Sequence, residues 1–198
     1  TRRLIQKDTV PNDAIDSPVL ENLGPVNMSD PANLQNFLEW GIKKYPAEHY
    51  MLLIADHGKG WKGCIQDDSH KGWMEVPQLQ QALAGARKNT GVKLDMVGFD
   101  ACLMASTEVA YQLRNEANYL VASQEVEGQK GWPYQLVLDP SALTSLSMGT
   151  AIHSADVSPE KLATYLVGRT SSADSIHTMK KQTSLFIQCA LAWKQAFF

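Results

Sequence analysis

The sequence predicts an α/β protein: a three-layer α/β/α sandwich around a mostly parallel sheet. Segments 50–58 and 94–102 each contain an apolar run with the composition of a strand that is covered on both faces. A third apolar run, residues 119–122, predicts another strand. Apolar residues at helical spacing lie between successive strands, and such alternation predicts right-handed crossovers and parallel pairing.

Each predicted helix has a recognisable start. Ser29-Asp30-Pro31 opens the first helix, because a capping side chain precedes a proline at the first helical position. The remaining helices are predicted over residues 76–87, over residues 103–114 directly after Cys102, and from Ser158-Pro159 onward. Less regular segments are predicted as an edge strand at residues 1–7, loops at 58–72 and 123–132, and a strand at 183–190.

Composition places the chain among ordinary globular proteins and excludes several functional classes. It has 198 residues, of which 44% are hydrophobic and 20% charged, which suits a single domain. A net charge of −3 gives no reason to expect nucleic acid or an anionic membrane as a partner. No stretch approaches the roughly 20 apolar residues that span a bilayer, and no apolar segment typical of a signal peptide follows Thr1-Arg2-Arg3.

The three cysteines do not form a disulfide framework or a zinc motif. They are Cys64, Cys102 and Cys189, and no CxxC pair occurs among them. One reactive thiol with two structural thiols is the simplest interpretation, although a Cys64–Cys189 bridge stays open.

His57 and Cys102 each follow a predicted buried strand. Open α/β sheets place their sites at the carboxyl ends of strands, and adjacent parallel strands would bring these two side chains together. An imidazole beside a thiol is the pair needed for base-assisted nucleophilic attack on an acyl group. The alternative is that Cys102 is a buried structural thiol and His57 a packed or surface residue; their joint placement favours the catalytic interpretation.

The surroundings of the pair add two further expectations. If Cys102 lies at the N-terminus of the helix predicted after it, the helix dipole favours the thiolate. Gly58 directly follows the histidine, and its N–H together with that of Cys102 would form an oxyanion hole. The sequence therefore predicts cysteine-dependent acyl transfer.

These residues stand within blocks that resemble the clostripain-type cysteine peptidases, which are relatives of the caspases. The resemblance covers roughly residues 1–134 and depends on several blocks in the same order. The blocks are Thr1-Arg2-Arg3, Asn27 to Pro31, His-Gly-x-Gly-Trp at His57 to Trp61, Gly98 to Met104, Val121 to Glu125, and Gly131 to Tyr134. The literal Gln-Ala-Cys of caspases is absent, because Asp100 stands where they have Gln.

The resemblance implies a caspase-like fold and a Cys102–His57 dyad that cleaves peptide bonds after Arg or Lys. Asp100 matches the family position associated with the pocket for the basic side chain, and a carboxylate is the natural counter-ion of guanidinium or ammonium. The alternative for Asp100 is a cap of the following helix. Ser123, Gln124 and Glu125 follow the third strand and would line the same cleft. Glu125 and Glu127 are weaker pocket candidates, because loop acids are usually solvated, and Trp132 would wall the pocket or simply pack.

Further expectations follow from the resemblance alone. Some members use calcium, for which Asp67 and Asp68 are the candidate ligands, although adjacent acids are more often a solvated turn. The single domain would lack family strands at its N-terminus, and its C-terminal end matches poorly. Either the chain is a fragment or a processed piece, or a second chain completes the sheet. Secretion or a cell-envelope location and self-cleavage at basic residues are also implied.

Two other functions are compatible with the sequence. The first is a catalytically inactive caspase-like module that binds partners through the same cleft. The second is a nucleotide-binding domain that uses the glycines of residues 58–63, but this segment lacks the GK[ST] ending and the GxGxxG spacing.

Overall fold

The computed structural model describes residues 1–3, 17–128, 131–132, 134 and 159–170. The strands in these ranges are β1 (Arg2–Arg3), β2 (Val19–Glu21), β3 (Met51–Ala55), β4 (Cys64–Asp67), β5 (Gly72–Met74), β6 (Leu94–Asp100) and β7 (Ala117–Val121). The helices in these ranges are α1 (Pro31–Lys44), α2 (Val76–Thr90), α3 (Thr107–Leu113) and α4 (Pro159–Thr170), with a 3₁₀ turn at Gly60–Lys62.

The central sheet contains three parallel strands in the order β3–β6–β7. The β3–β6 register pairs Met51 with Met96 and ends with Ala55 opposite Asp100. This order follows from the crossovers, since α2 connects β3 to β6 and α3 connects β6 to β7. The predicted parallel sheet is therefore confirmed, and its third strand begins two residues before the predicted start.

Helices cover both faces of the sheet. One apolar core joins α1, α2 and α3 to the sheet face that includes Val97 and Phe99, both of which are fully buried. A second core joins α4 to the opposite face, where Leu166 packs with Met96 and Val121. Successive side chains of a strand point to opposite faces, which explains why neighbouring residues of β6 enter different cores. The three-layer prediction is confirmed.

The helix signals in the sequence have their expected structural roles. Asp30 caps α1, and its carboxylate accepts a hydrogen bond from the Ala32 N–H. Gly91 ends α2 with a φ of +75°, a backbone conformation that glycine adopts without a steric penalty. The α2 helix runs three residues beyond the predicted end at Arg87 because the left-handed residue, rather than the polar run before it, stops the helix.

The predicted loop at residues 58–72 is wrong in part, because the chain there forms the antiparallel β4–β5 hairpin. Cys64 and Met74 face each other across the hairpin, and both are fully buried in the core. The strands are only four and three residues long, and their register is irregular. The Gly- and Asp-rich composition therefore hid a hairpin that is stabilised by burial rather than by strand propensity.

The prediction that a helix starts directly after Cys102 is also wrong. The α3 helix begins at Thr107, and the Ser106 side chain caps it. Leu103 has a φ of +66°, which is incompatible with a right-handed helix. The N–H groups of Leu103 and Ala105 donate to the carbonyls of Glu125 and Ser123, so tertiary hydrogen bonds replace the helical ones.

Some predicted elements lie at the margin of the described residues. The short edge strand is present as β1, which pairs with β2, and the helix expected from Ser158-Pro159 is α4. Residues 4–16 and the strand predicted at 183–190 lie outside the described residues. None of the described helices combines the length and apolar character that crossing a membrane requires.

Candidate active site

His57 and Cys102 lie at the same edge of the sheet. Each is two residues beyond the last β3–β6 pair, Ala55 opposite Asp100. The Asp56 N–H donates to the Asp100 carbonyl at 3.2 Å, which extends the ladder one residue further. The parallel register therefore places the imidazole-bearing and thiol-bearing residues at matching positions. Within the described part of the chain no hydrogen bond joins the two side chains.

The β4–β5 hairpin fixes the segment that contains His57. The Ile65 N–H donates to the His57 carbonyl at 3.2 Å. One Asp56 carboxylate oxygen accepts from the N–H of His57 at 2.5 Å and from that of Gln66 at 3.3 Å, so this acid holds backbone rather than the imidazole. The His57 side chain is exposed, and its ring centroid lies 6.4 Å from that of Trp73 on β5.

Gly58 lies against the backbone of the cysteine segment. A Cβ at this position would stand 2.2 Å from the Cys102 carbonyl oxygen and 3.0 Å from Cγ of Met104. Only a glycine allows this approach without displacing the backbone. The N–H groups of Gly58 and Cys102 have no hydrogen-bond partner among the described residues, so both are available to a ligand.

The Cys102 thiol is half-buried and accepts a hydrogen bond from the Glu127 N–H at 3.3 Å. This N–H is the hydrogen-bond donor to the thiol among the described residues, whereas the sequence predicted a helix N-terminus at this position. Cys64 differs sharply: burial, with the nearby charge of Asp56 adding, raises the pKa of its thiol to about 12. Cys64 is a free structural thiol in the core, and Cys189 lies outside the described residues.

Asp100 is a buried acid two residues before the thiol. Only 9% of it is exposed, and Oδ2 accepts hydrogen bonds from the Trp132 N–H at 3.0 Å and the Tyr134 hydroxyl at 2.9 Å. It caps no helix, because α3 starts seven residues later. The Tyr134 pKa is raised by burial, and the hydrogen bond to Asp100 adds to the effect.

Glu127 stands beside Asp100 as a second partly buried acid. The Trp132 indole N–H donates to its Oε1 at 3.4 Å, whereas Oε2 is buried and has no hydrogen-bond partner among the described residues. Burial raises the pKa of Glu127 to about 8, and the neighbouring Asp100 adds to the shift.

The other predicted cleft residues have mainly structural contacts in the described chain. Ser123 is buried, and its hydroxyl accepts from the Glu125 N–H at 3.1 Å. Glu125 has an exposed side chain, and its carbonyl accepts from Leu103; Gln124 is half-buried. Trp132 packs in the second core while its two N–H groups reach both acids.

The candidate calcium ligands are occupied by protein donors. Both Asp67 oxygens accept hydrogen bonds, from the N–H groups of Met28 at 2.7 Å and His70 at 2.9 Å, which lower the pKa of this acid to about 2. Asp68 accepts from the Gln66 side chain. The His70 ring nitrogen Nδ1 also lies 3.0 Å from Asp67 Oδ1, and no group of three or more His, Cys, Asp or Glu side chains among the described residues is arranged to hold a metal ion. Calcium binding stays a prediction without structural support.

The glycines of residues 58–63 serve close backbone contacts. A Cβ at Gly60 would stand 3.2 Å from the Leu103 carbonyl oxygen, and one at Gly63 would stand 2.4 Å from that of Met74. Both glycines, like Gly58, therefore lie close to neighbouring backbone. These glycines therefore pack the 3₁₀ turn against neighbouring backbone, which differs from a phosphate-binding loop in which free N–H groups surround the ligand.

A parallel sheet with a cysteine and a histidine at one edge and buried acids beside the thiol is the arrangement of α/β-sandwich cysteine peptidases. The model of the Clostripain family matches residues 8–183, so this chain belongs to the clostripain family. The predicted resemblance is confirmed. The family match extends beyond Tyr134, the last residue of the sequence blocks that resemble the family.

Individual relatives agree with this assignment. The chain is 31% identical over 128 residues to clostripain of Hathewaya histolytica, covering 57% of this chain and 24% of that protein. A secreted C11 cysteine protease from Bacteroides thetaiotaomicron, solved with an irreversible peptide inhibitor, matches with a TM-score of 0.64 and 28% identity over 84% of this chain and 43% of that one. An inactive zymogen C11 protease from Parabacteroides distasonis shares the fold, with a TM-score of 0.51 and 24% identity over 84% and 51% of the two chains.

The chain thus spans about a quarter of that curated relative and about half or less of these solved chains. Sequence reasoning underrated Glu127 and missed Tyr134 and Trp73. Glu127 had one usable signal: it follows the third strand, where site residues collect. Trp73 had none, since it lies between the predicted loop at residues 58–72 and the predicted helix at residues 76–87.

Proposed function

We propose that this protein is a cysteine endopeptidase that hydrolyses peptide bonds after Arg or Lys. The observation that supports this most strongly is the shared position of His57 and Cys102 at the sheet edge, with Asp100 buried two residues before the thiol. Membership of the clostripain family supports the same chemistry.

In the proposed reaction the Cys102 thiolate attacks the scissile carbonyl carbon. The tetrahedral oxyanion accepts hydrogen bonds from the free N–H groups of Gly58 and Cys102. His57, as the imidazolium, donates its proton to the leaving amine, and the C–N bond breaks to leave a thioester on Cys102. The neutral imidazole then takes a proton from water, which attacks the thioester and releases the acid. The exposed position of His57 allows it to reach both the leaving amine and the water.

The basic-residue preference rests on the buried carboxylate of Asp100. No Lys or Arg of the described chain forms an ion pair with Asp100, so its charge is open to a cation from the substrate. A guanidinium or ammonium that replaces water beside a buried carboxylate forms a charge-assisted hydrogen bond, which is stronger than a neutral one.

Three variants test this proposal with a fluorogenic peptide that has Arg or Lys before the reporter. Cys102→Ala should abolish cleavage, because no other side chain supplies the nucleophile. The matched control Cys64→Ala removes a buried core thiol that takes no part in the proposed reaction, and it should retain activity at some cost in melting temperature. Asp100→Asn should raise KM for the basic peptides much more than for a peptide with norleucine at that position. Undiminished cleavage by Cys102→Ala would refute the dyad.

The inactive binding module is separated from the enzyme by one labelling experiment. A peptidyl electrophile with a terminal Arg should modify Cys102 stoichiometrically, and His57→Ala should slow this reaction because the thiolate loses its partner. Labelling at the rate of an unactivated thiol in the unmodified protein would favour the binding module.

Further parts of the proposal concern the whole protein. Secretion is supported by the description of the B. thetaiotaomicron relative as secreted. Self-cleavage would occur at basic residues such as Lys62 or Lys71 in the segment after His57, and mass spectrometry of the purified protein with and without Cys102→Ala tests it. A second chain that completes the sheet would pair along β3 or β7, which are the edge strands of the described sheet.

A further inference from the structure

The Asp100–Glu127 pair has a property that the proposed specificity does not require. Given the proposed function, we propose that Glu127 is a proton-linked specificity residue: it holds a proton in the free enzyme and releases it when the cationic side chain of a substrate enters the pocket.

Glu127 and Asp100 both accept hydrogen bonds from the same residue, Trp132. Trp132 donates its backbone N–H to Asp100 Oδ2 and its indole N–H to Glu127 Oε1. Asp100 Oδ2 has a second donor in the Tyr134 hydroxyl. Glu127 has only the long indole contact, and its buried Oε2 has no partner among the described residues. The unmatched oxygen needs either a proton or an external cation.

Among the described residues, Asp100, Tyr134 and Cys102 are the ionisable groups beside Glu127, and the charge of Asp100 favours the protonated form. Asp100 approaches from β6, Tyr134 from the segment after Trp132, and the Cys102 thiol from the turn after β6, where it accepts the backbone N–H of Glu127. None of these groups is a cation. Burial and Asp100 together raise the Glu127 pKa to about 8, which favours the protonated form at pH 7.

Substrate binding reverses this balance. A guanidinium or ammonium beside the pair attracts the ionised form, so the Glu127 carboxyl loses its proton to solvent and both carboxylates contact one cation. Charge is conserved, because one positive charge enters the pocket as one proton leaves. By linkage, the affinity for a basic substrate rises with pH until the free enzyme itself is deprotonated above about pH 8.

Isothermal titration calorimetry measures the proton directly. The protein with Cys102→Ala is titrated at pH 7 with an uncleaved peptide containing one Arg, in phosphate and in Tris, whose ionisation enthalpies differ. The enthalpy difference counts the released protons. We expect more released protons, up to about one per bound peptide, than in the same protein with Glu127→Gln, whose amide keeps an acceptor for the indole N–H and cannot ionise.

Two further variants control for charge and for shape. Glu48→Gln removes a surface acid that precedes the amino end of β3, whereas the site lies at the carboxyl ends of the strands. This change should leave the number of released protons unchanged. Glu127→Asp keeps an ionisable acid on a shorter arm and should still release a proton. His57 is present in every variant, so a proton from the imidazole cancels in the comparison.

The outcomes separate this inference from the proposed function. If the Arg peptide binds and Glu127→Gln releases as many protons as the protein with Glu127, the proposed proton linkage is wrong. The proposed preference for basic residues is then unaffected. If the Arg peptide binds no better than its norleucine counterpart, the proposed basic specificity fails. In kinetics with the intact thiol, KM for the Arg peptide should fall from pH 6 to pH 8, and Glu127→Gln should flatten that fall.

Discussion

Replacement of Gly58 by alanine is the sharpest test of how the site is positioned. The new Cβ would stand 2.2 Å from the Cys102 carbonyl oxygen, whereas ordinary contact begins at 3.4 Å. The histidine and cysteine segments must therefore separate by about 1.2 Å, unless the Met104 side chain and the backbone both rearrange. Because a 1 Å misplacement of a catalytic group can cost about 100-fold in rate, kcat/KM for the Arg peptide should fall by about that factor.

Gly41→Ala is the matched control for this change. Gly41 lies inside α1, and an added Cβ meets nothing within 4 Å. Alanine should therefore stabilise the helix by about 0.5–1 kcal/mol and leave kcat/KM unchanged. Thermal unfolding of both variants, followed by circular dichroism, separates loss of fold from loss of geometry. A Gly58→Ala protein that keeps activity within threefold would show that the close approach does not position the site.

Three further predictions concern charge and thiol chemistry. Glu127→Gln should raise the melting temperature at pH 9 more than at pH 6. The raised pKa of this acid makes the folded state lose stability as the pH rises from about 4.5 through 8, and the amide removes that loss. Equal shifts at both pH values would contradict this. Asp67→Asn should lower the melting temperature at pH 7. The difference in melting temperature should shrink toward pH 2, where the carboxylate of Asp67 takes up a proton because of its lowered pKa. A difference that stays constant with pH would point to packing instead. Iodoacetamide should label Cys102 in the native protein and leave Cys64 unmodified, as peptide mapping can check, because Cys64 is fully buried with a pKa of about 12; equal labelling would refute the assignment of the reactive thiol.

Local patterns were sufficient for the elements whose signals lie within a few residues. Asp30 before Pro31 and Gly91 after the last polar turn mark real helix ends, since a cap uses only its own backbone neighbours. The apolar runs of β3, β6 and β7 are visible for a similar reason: strands covered on both faces have no polar face to interrupt them.

The helix predicted directly after Cys102 is wrong because of long-range hydrogen bonds. Residues 103–106 have helical composition, but two of their N–H groups bond to Ser123 and Glu125, some 20 residues away. Leu103 accepts an unfavourable φ as a result. No local pattern reports such partners, so the predicted helix dipole at Cys102 is replaced by the N–H of Glu127.

The amino-acid sequence alone determined the α/β class, the family, and the candidate pair His57 and Cys102, because buried strands and their terminal residues are encoded in contiguous stretches. Only the tertiary structure decided which groups surround the thiol. The Asp100–Glu127 pair, joined through Trp132, exists because a loop folds back over the end of β6. Its proton depends on burial and on a neighbouring charge, and both are properties of packed space rather than of order along the chain.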